Sequence, residues 1–192
     1  MSPRRILLVM PDLPLPFGSA AGRWYYVLLR GLVERGNDVT AFAASASADD
    51  RVAALDLFAK PAFDLRVFPH PARGTGLLAK WETVRRPYSY VFGPDLQRDL
   101  QAALGRGFDI LHLEQVWAGW LGLDHVDHAL LNVHYLVDID LAMVRAGNPA
   151  AALRRAVTRR AERRILGHYR TITALTDRLA ARVAAVAPRA SV

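Results

Sequence analysis

The stretch Ile6-Leu-Leu-Val-Met-Pro-Asp-Leu-Pro-Leu-Pro-Phe-Gly18 decides the fold, because an apolar run leads directly into a loop rich in proline and glycine. An amphipathic segment then continues to Gly36, and a second apolar run covers residues 39–44. Strand, loop, helix and strand in this order form the βαβ unit of an open parallel sheet. In such sheets the loop after the first strand lies at the carboxyl edge, where helix N–H groups and the helix dipole favour anions. We therefore expect the functional site at this edge.

The same alternation of strands and helices continues along the chain. Further strands are predicted over residues 64–68, 108–113, 129–133 and 170–174, and the longest later helix begins at Asn148-Pro149 and ends near Leu166. Alternating elements predict an α/β fold with a doubly wound parallel sheet in three layers, α/β/α. No repeat or internal domain boundary is visible, so residues 1–192 are expected to form a single domain.

The first helix is predicted to start after Ser19 as its N-cap and to run to Arg35. Its sheet-facing residues are expected at a spacing of three and four, and they are Trp24, Val27, Leu28, Gly31 and Leu32. On that face Gly31 would allow a close approach between helix and strand.

Composition narrows the class of protein. The chain has 192 residues, 52% of them hydrophobic, and no cysteine, which excludes disulfides and thiolate sites. No apolar stretch approaches the roughly 20 residues needed to span a bilayer, and Met-Ser-Pro-Arg-Arg5 leads into a strand rather than a signal peptide. The expected location is cytoplasmic.

A net charge of +7 is compatible with binding to nucleic acid, to an anionic membrane surface or to a phosphorylated substrate. Nucleic acid is not expected, because no nucleic-acid-binding motif accompanies the charge.

Three residues of the first loop and helix are candidates for binding a phosphate. Gly18 would let the loop pass close to the anion, with the N–H groups of Ser19 to Gly22 as donors. Arg23 lies in the first helical turn, where a cation opposes the helix dipole unless an anion is bound nearby. The alternatives are an ordinary turn glycine and a solvated arginine.

Two further candidates end predicted strands at the same edge. His134 follows the apolar strand at 129–133, and an imidazole can donate to a hydroxyl or phosphate oxygen. The alternative is a hydrogen-bonded histidine that finishes a strand. Glu114 ends the strand before it, and it is a candidate for contact with an acceptor hydroxyl or else a solvated loop carboxylate. A cleft-facing His134 would hold few core contacts, so its replacement is expected to leave folding unaffected.

Two other patterns of charged or metal-ligating residues give weaker evidence for a functional site. His125 and His128 have the i,i+3 spacing of a metal pair, but no third ligand is placed by spacing, so no metal site is predicted. Arg155, Arg159 and Arg163 recur every four residues on the helix after Pro149. This basic stripe is either a solvated face or a contact with anionic lipid headgroups, which would make the protein membrane-peripheral.

Six segments in order resemble a known family. They are Arg5-Ile-Leu-Leu-Val-Met-Pro11, Pro16-Phe-Gly18 with Arg23, Leu32-Val-Glu-Arg-Gly-Asn-Asp-Val-Thr40, Phe108-Asp-Ile-Leu-His-Leu-Glu114, Leu131-Asn-Val-His134, and Glu162 with Ile172-Thr-Ala-Leu-Thr-Asp177. Together they are similar to the N-terminal domain of retaining GT-B glycosyltransferases of family 4, and the likeness covers essentially all 192 residues.

The resemblance implies a Rossmann-like, acceptor-side domain of an enzyme that transfers a sugar from a nucleotide-sugar donor with retention. It implies that His134 contacts the donor sugar and the reacting centre, and that Gly18 and Ser19 lie by the donor phosphate. No metal or cofactor is implied besides the nucleotide-sugar co-substrate.

The chain also departs from the family pattern. The usual Gly-Gly of the first loop is reduced to Gly18-Ser19, and Asn37 stands where the family has histidine. The family's donor-binding C-terminal domain, with its Glu-x7-Glu element, has no counterpart here. Residues 187–192 read as the entry to another strand, so the chain is expected to be one domain of a larger protein and inactive alone. The alternative function is a non-catalytic sugar- or nucleotide-binding module of the same fold.

Overall fold

The computed structural model describes residues 2–140 and 147–192, apart from the side chains at positions 80, 138 and 140. Its strands are β1 (Arg5–Met10), β2 (Asp38–Ser45), β3 (Asp64–Pro69), β4 (Ile110–Glu114), β5 (Ala129–Val133) and β6 (Thr171–Ala174). Its helices are α1 (Ala20–Glu34), α2 (Ala48–Leu57), α3 (Leu77–Arg85), α4 (Pro94–Gly105), α5 (Val137–Asp140), α6 (Pro149–Leu166) and α7 (Asp177–Val186). Short 3-10 helices cover Ser89–Val91 and Val116–His125.

Within the described residues, six strands form one parallel sheet in the order β3-β2-β1-β4-β5-β6, with helices around it. This is the predicted α/β, Rossmann-like arrangement. The chain divides into two compact units. The first unit comprises Met1–Ala72 and Tyr90–His112, and the second comprises Arg73–Ser89 and Leu113–Val192.

The first unit is built on the opening βαβ element. Strand β1 pairs with β2 from Arg5 opposite Asp38 to Met10 opposite Ala43, and β2 pairs with β3, both parallel. Residues 6–10 of β1 are all buried, as expected for a strand covered on both faces. Helix α1 packs Tyr25 and Leu29 into this core, where neither side chain is exposed to solvent.

The second unit joins β5 and β6 to the 3-10 helix Val116–His125 and to α6. Leu130 of β5 pairs with Thr171 of β6 in parallel register, and α6 packs against the 3-10 helix. The Tyr169 hydroxyl donates to the Gly119 carbonyl at 2.6 Å. Burial of Tyr169 raises the pKa of its hydroxyl above the usual range. This bond fixes the segment that follows β4.

The helix-start predictions from capping residues are confirmed. The Ser19 hydroxyl accepts from Gly22 N, the Asn148 side chain accepts from Ala151 N, and the Thr176 hydroxyl accepts from Leu179 N. Each interaction satisfies one helical N–H that has no acceptor within its own helix. None of the helices in the described part of the chain is long and apolar enough to cross a membrane.

The predicted sheet-facing side of α1 is right only in part: Leu28 and Leu32 pack against the core. The buried residues are Gly22, Tyr25 and Leu29, whereas Trp24 is 40% and Val27 65% exposed. Residues 24–29 are all apolar, so their periodicity does not distinguish one face from another. The close backbone approach that was expected at Gly31 occurs at Gly22 instead. A Cβ on Gly22 would lie 3.0 Å from the Leu13 carbonyl oxygen, while on Gly31 it would meet only the end of the Arg35 side chain.

We expect opposite effects from two glycine-to-alanine changes in α1. Gly22→Ala forces a methyl against a backbone oxygen, which should destabilise the protein by about 1–3 kcal/mol. Gly31→Ala displaces only a flexible guanidinium and improves helix propensity, which should add about 0.5–1 kcal/mol. Urea unfolding of both variants beside wild type measures the difference. A Gly31→Ala variant less stable than Gly22→Ala would contradict this account of α1 packing.

Candidate active site

The carboxyl end of β4 carries a buried acid. Glu114 is the last residue of β4, and none of its side chain is exposed to solvent. The predicted alternative of a solvated loop carboxylate is therefore wrong. A carboxylate removed from water is costly unless it is paired and hydrogen-bonded, so the neighbours of Glu114 determine whether this strand end is stable.

The first of those neighbours is His134, which directly follows β5. Its Nε2 lies 2.6 Å from Oε2 of Glu114, and its side chain is 9% exposed. An approach this short requires a proton between the two atoms. A proton on Nε2 is donated to the carboxylate, and Nδ1 is the second polar atom of the ring. The structure thus brings together two of the predicted site residues, Glu114 and His134.

The second neighbour is Asn132, which sequence reasoning missed as a site residue. Its side-chain amide donates to Oε1 and Oε2 of Glu114 at 3.2 and 3.1 Å, and its Nδ2 lies 3.0 Å from Nε2 of His134. Its Oδ1 accepts from the Thr173 hydroxyl at 2.9 Å. Because a carboxylate only accepts, this amide orientation is the one that chemistry requires. The signal in the sequence was a polar residue inside the otherwise apolar run of β5.

Backbone strain lies immediately beside this cluster. Gln115 has φ 66° and ψ 150°, a region that residues with a side chain rarely adopt. Its N–H donates to the Asn132 carbonyl at 2.8 Å. Such a conformation costs about 1–3 kcal/mol and persists only where the surroundings hold it. The chain therefore turns sharply after Glu114 and enters the 3-10 helix Val116–His125.

The other predicted residues form a separate group, in the first unit. Gly18 adopts φ 82° and is exposed, as the predicted loop glycine requires. The Ser19 hydroxyl accepts from Gly22 N at 2.9 Å and donates to Oδ2 of Asp12 at 3.1 Å. The Gly22 N–H is thus already satisfied by the cap, so its predicted role as a phosphate donor is wrong. Arg23 is exposed in the first turn of α1.

Asp12 is a further residue that sequence reasoning missed. Besides accepting from Ser19, its carboxylate accepts from Leu13 N at 2.8 Å. The chain therefore places its own anion next to the capping residue of α1, where the helix dipole stabilises negative charge. A bound phosphate at this helix end has to coexist with that carboxylate.

In residues 2–140 and 147–192 no group of three or more His, Asp or Glu side chains is placed to hold a metal ion. His125 and His128 sit in one turn, with His128 N donating to the His125 carbonyl at 3.0 Å. Their i,i+3 spacing here belongs to the end of a 3-10 helix.

A family described as "Glycosyl transferase 4-like domain" matches residues 21–192, which include Glu114, Asn132 and His134. No curated protein matches the chain.

The Glu114–His134 contact predicts a stability change that contradicts the expectation of unaffected folding. His134→Ala leaves the buried carboxylate without its closest partner and should lower the free energy of unfolding by about 3 kcal/mol. Adding Glu114→Gln should recover part of that loss, because a neutral amide is less costly to bury than a carboxylate.

Urea unfolding at pH 7 of both variants tests this, with His168→Ala as the matched control. His168 is exposed, so its removal should change the free energy of unfolding by no more than about 0.5 kcal/mol. The account fails if His134→Ala is as stable as wild type, or if the double variant is less stable than His134→Ala.

Proposed function

Since the chain belongs to the glycosyl transferase 4-like family, we propose that it is the acceptor-side domain of a glycosyltransferase. In this proposal the enzyme moves a sugar from a nucleotide-sugar donor to an acceptor with retained anomeric configuration. The supporting observation is the buried cluster at the ends of β4 and β5, where Asn132 and His134 both donate to Glu114, so that one ring nitrogen of His134 is held in place. Holding an imidazole this tightly is a means of presenting a hydrogen-bond donor with little reorganisation.

His134 is the catalytic residue of the proposal. In this proposal His134 acts as an imidazolium: its Nε2–H donates to Glu114, and its Nδ1–H donates to the donor sugar or to the departing phosphate. Negative charge develops on that phosphate as the glycosidic bond breaks, so the interaction strengthens in the transition state. Catalysis then rests on electrostatic stabilisation and positioning, without a protein nucleophile.

Glu114 and Asn132 act through His134 and are positioning residues in this scheme. The contact between Glu114 and an acceptor hydroxyl stays a prediction. It requires the carboxylate to share contacts that it already makes with Asn132 and His134. A carboxylate that accepts from one ring nitrogen fixes the orientation of the imidazole ring.

Gly18, Ser19 and Arg23 are proposed to meet the donor phosphate through the loop and the start of α1. The first helical N–H groups have no acceptor within the helix and point out of its end. Arg23 adds a cation in the same turn. Asp12 opposes an anion here, so this part of the proposal depends on Arg23 and the backbone amides outweighing one carboxylate.

Replacing His134 tests the catalytic role in the intact gene product. His134→Ala should lower kcat by about a hundredfold or more, a loss of ~2–4 kcal/mol in transition-state stabilisation, while nucleotide-sugar binding persists. Release of nucleoside diphosphate from a panel of nucleotide sugars gives turnover, and proton NMR of the product gives its anomeric configuration. Assays run well below the melting temperature of the variant separate lost chemistry from lost folding.

The control and a second variant sharpen this test. His168→Ala should keep wild-type turnover, whereas Glu114→Gln should lower kcat and change its pH profile, because it alters the partner of the imidazole. Full turnover by His134→Ala would remove it from catalysis. Sugar-nucleotide binding with no turnover by the wild-type gene product would favour the non-catalytic binding module instead.

The 192-residue chain by itself is expected to show no sugar transfer. The family resemblance assigns most donor contacts to a second domain, and one wall of a cleft neither excludes water nor aligns two substrates. The measurement is nucleoside diphosphate release by the purified chain against a blank without protein. Release above hydrolysis that depends on an added acceptor would overturn the assignment of the donor site to a second domain.

A further inference from the structure

Helix α6 carries a buried carboxylate on the face that packs into the second unit. Glu162 is 2% exposed and lies among the buried residues of that face, which are Thr158, Ala161, Ile165 and Leu166. Acidic side chains are almost never fully buried unless they are paired, because a carboxylate removed from water loses its hydration. The partners of Glu162 therefore identify the part of the unit that this side chain supports.

The helix that carries Glu162 is itself firmly anchored. It packs against the 3-10 helix Val116–His125 and against α3, α5 and α7. Of the basic stripe predicted on α6, Arg155 and Arg159 are half-buried and only Arg163 is exposed. The alternative of a solvated face is therefore wrong for Arg155 and Arg159. Because α6 is held on several sides, a side chain that projects from its buried face has a fixed origin.

Glu162 reaches the chain segment that follows β5. Its Oε1 accepts from the Val137 N–H at 2.9 Å, at the start of α5, and this bond is buried. A buried backbone N–H that lacks an acceptor costs free energy comparable to a lost hydrogen bond. The bond therefore ties the start of α5 to α6.

This tie matters because His134 lies between two fixed points of the main chain. Strand β5 ends at Val133, which pairs with Ala174 of β6. Three residues after His134, the Val137 N–H is bound by Glu162. Residues 134–136 are thus held by the sheet at one end and by α6 at the other.

The contact that His134 makes with Glu114 is sensitive to where the main chain lies. Its Nε2 is 2.6 Å from Oε2 of Glu114, which is at the short end of the range for a hydrogen bond between nitrogen and oxygen. Movement of residue 134 away from β4 lengthens this contact. A site of such geometry needs support from residues that do not themselves belong to it.

We propose that Glu162 is a positioning residue for His134 and acts through the backbone of the segment after β5. By accepting from the Val137 N–H, it keeps the imidazole at hydrogen-bonding distance from Glu114. The task requires an acceptor oxygen at the reach of a glutamate side chain, and a neutral amide oxygen accepts from an N–H as well. The effect on turnover rests on the proposed catalytic role of His134, whereas the effect on the imidazole does not.

Two substitutions separate reach from charge. Glu162→Asp keeps the carboxylate but withdraws it by one methylene, whereas Glu162→Gln keeps the length and an acceptor oxygen without the charge. In the intact gene product, Glu162→Asp should lower kcat about tenfold or more and change KM for the nucleotide sugar less than about threefold, because a displaced His134 loses contact mainly in the transition state. Glu162→Gln should keep kcat within about threefold of wild type, since the bond to the Val137 N–H survives.

NMR of the chain labelled with nitrogen-15 in histidine gives a readout that does not need turnover. The Nε2–H proton of His134, held between two atoms 2.6 Å apart, is expected to resonate far downfield of an ordinary imidazole proton. We expect this resonance to move upfield or to broaden in Glu162→Asp and to stay in place in Glu162→Gln.

The matched control is Val183→Ala in α7 of the same unit. Val183 is fully buried, so its truncation lowers the urea midpoint through lost packing, at a site outside the segment 134–137. It should leave both kcat and the downfield resonance unchanged in assays well below the melting temperature.

Three outcomes overturn the proposal. One is a Glu162→Asp variant with the kcat and the resonance of wild type. Another is a Glu162→Gln variant as impaired as Glu162→Asp, which would make charge the requirement. The third is a change of the resonance in Val183→Ala as large as in Glu162→Asp, which would reduce the role of Glu162 to general stability. If wild type shows no turnover, the proposed function fails, and the resonance alone decides the role of Glu162.

Discussion

A carboxylate without any contact with water is the constraint on which the second unit depends. Glu114 lies at the end of β4 with its side chain fully buried, and such a group is tolerated only when neighbours replace the lost water. Asn132 and His134 provide that replacement from β5 and the residue following it, and Thr173 of β6 holds the Asn132 amide in turn. Three adjacent strand ends are thereby tied together by polar contacts. Since one broken contact leaves a buried group unsatisfied, the cluster is expected to behave as a unit.

The geometry of the backbone follows from the same cluster. Gln115 takes a left-handed conformation directly after Glu114 and donates its N–H to the carbonyl of Asn132. The chain therefore leaves the sheet abruptly and winds into the 3-10 helix, which the Tyr169 hydroxyl holds through Gly119. The contacts of the 3-10 helix and of the Glu114 cluster therefore hold Gln115 in its strained conformation. That conformation in turn directs the chain into the 3-10 helix. A local cost of this kind is often found at functional sites.

Strand and helix positions could be predicted because their signals are local. The bounds of β5 and the capping residues Asn148 and Thr176 follow from short apolar runs and from polar residues that precede helices. The buried face of α1 could be predicted only in part, since apolar residues fill positions 24–29 and leave no polar side to define the other. Likewise the 3-10 helix at 116–125 comes from an apolar run interrupted by glycine, which fits neither periodicity.

Two residues of the candidate site were predicted from the sequence, but the hydrogen bonds between its residues were not. Glu114 and His134 could be identified because each ends an apolar run, and strand ends in a parallel sheet meet at one edge. Their pairing at 2.6 Å and the part of Asn132 depend on the register of β4, β5 and β6, which only the tertiary structure determines. Sequence position alone also made His134 look like a cleft residue with few contacts, whereas its partner is among the most buried groups of the unit.

In the first loop, the local features could be predicted from the sequence, but one of the contacts that organises the loop could not. Its glycine and its helix cap were readable from the sequence, yet the role of Asp12 was not, because an aspartate between prolines and leucines resembles any turn residue. In the structure Asp12 accepts from Leu13 N and from the Ser19 hydroxyl, so it organises the loop and adds a negative charge beside the start of α1. A helix end with its own carboxylate attracts a phosphate less than an uncharged one. The backbone amides of the first turn and Arg23 must therefore supply more attraction than the dipole alone, and His134 likewise has a carboxylate of the chain, Glu114, at 2.6 Å. At both places a group that could attract an anion lies beside a carboxylate of the chain itself, so a bound anion has to coexist with Asp12 at the loop and with Glu114 at the end of β5.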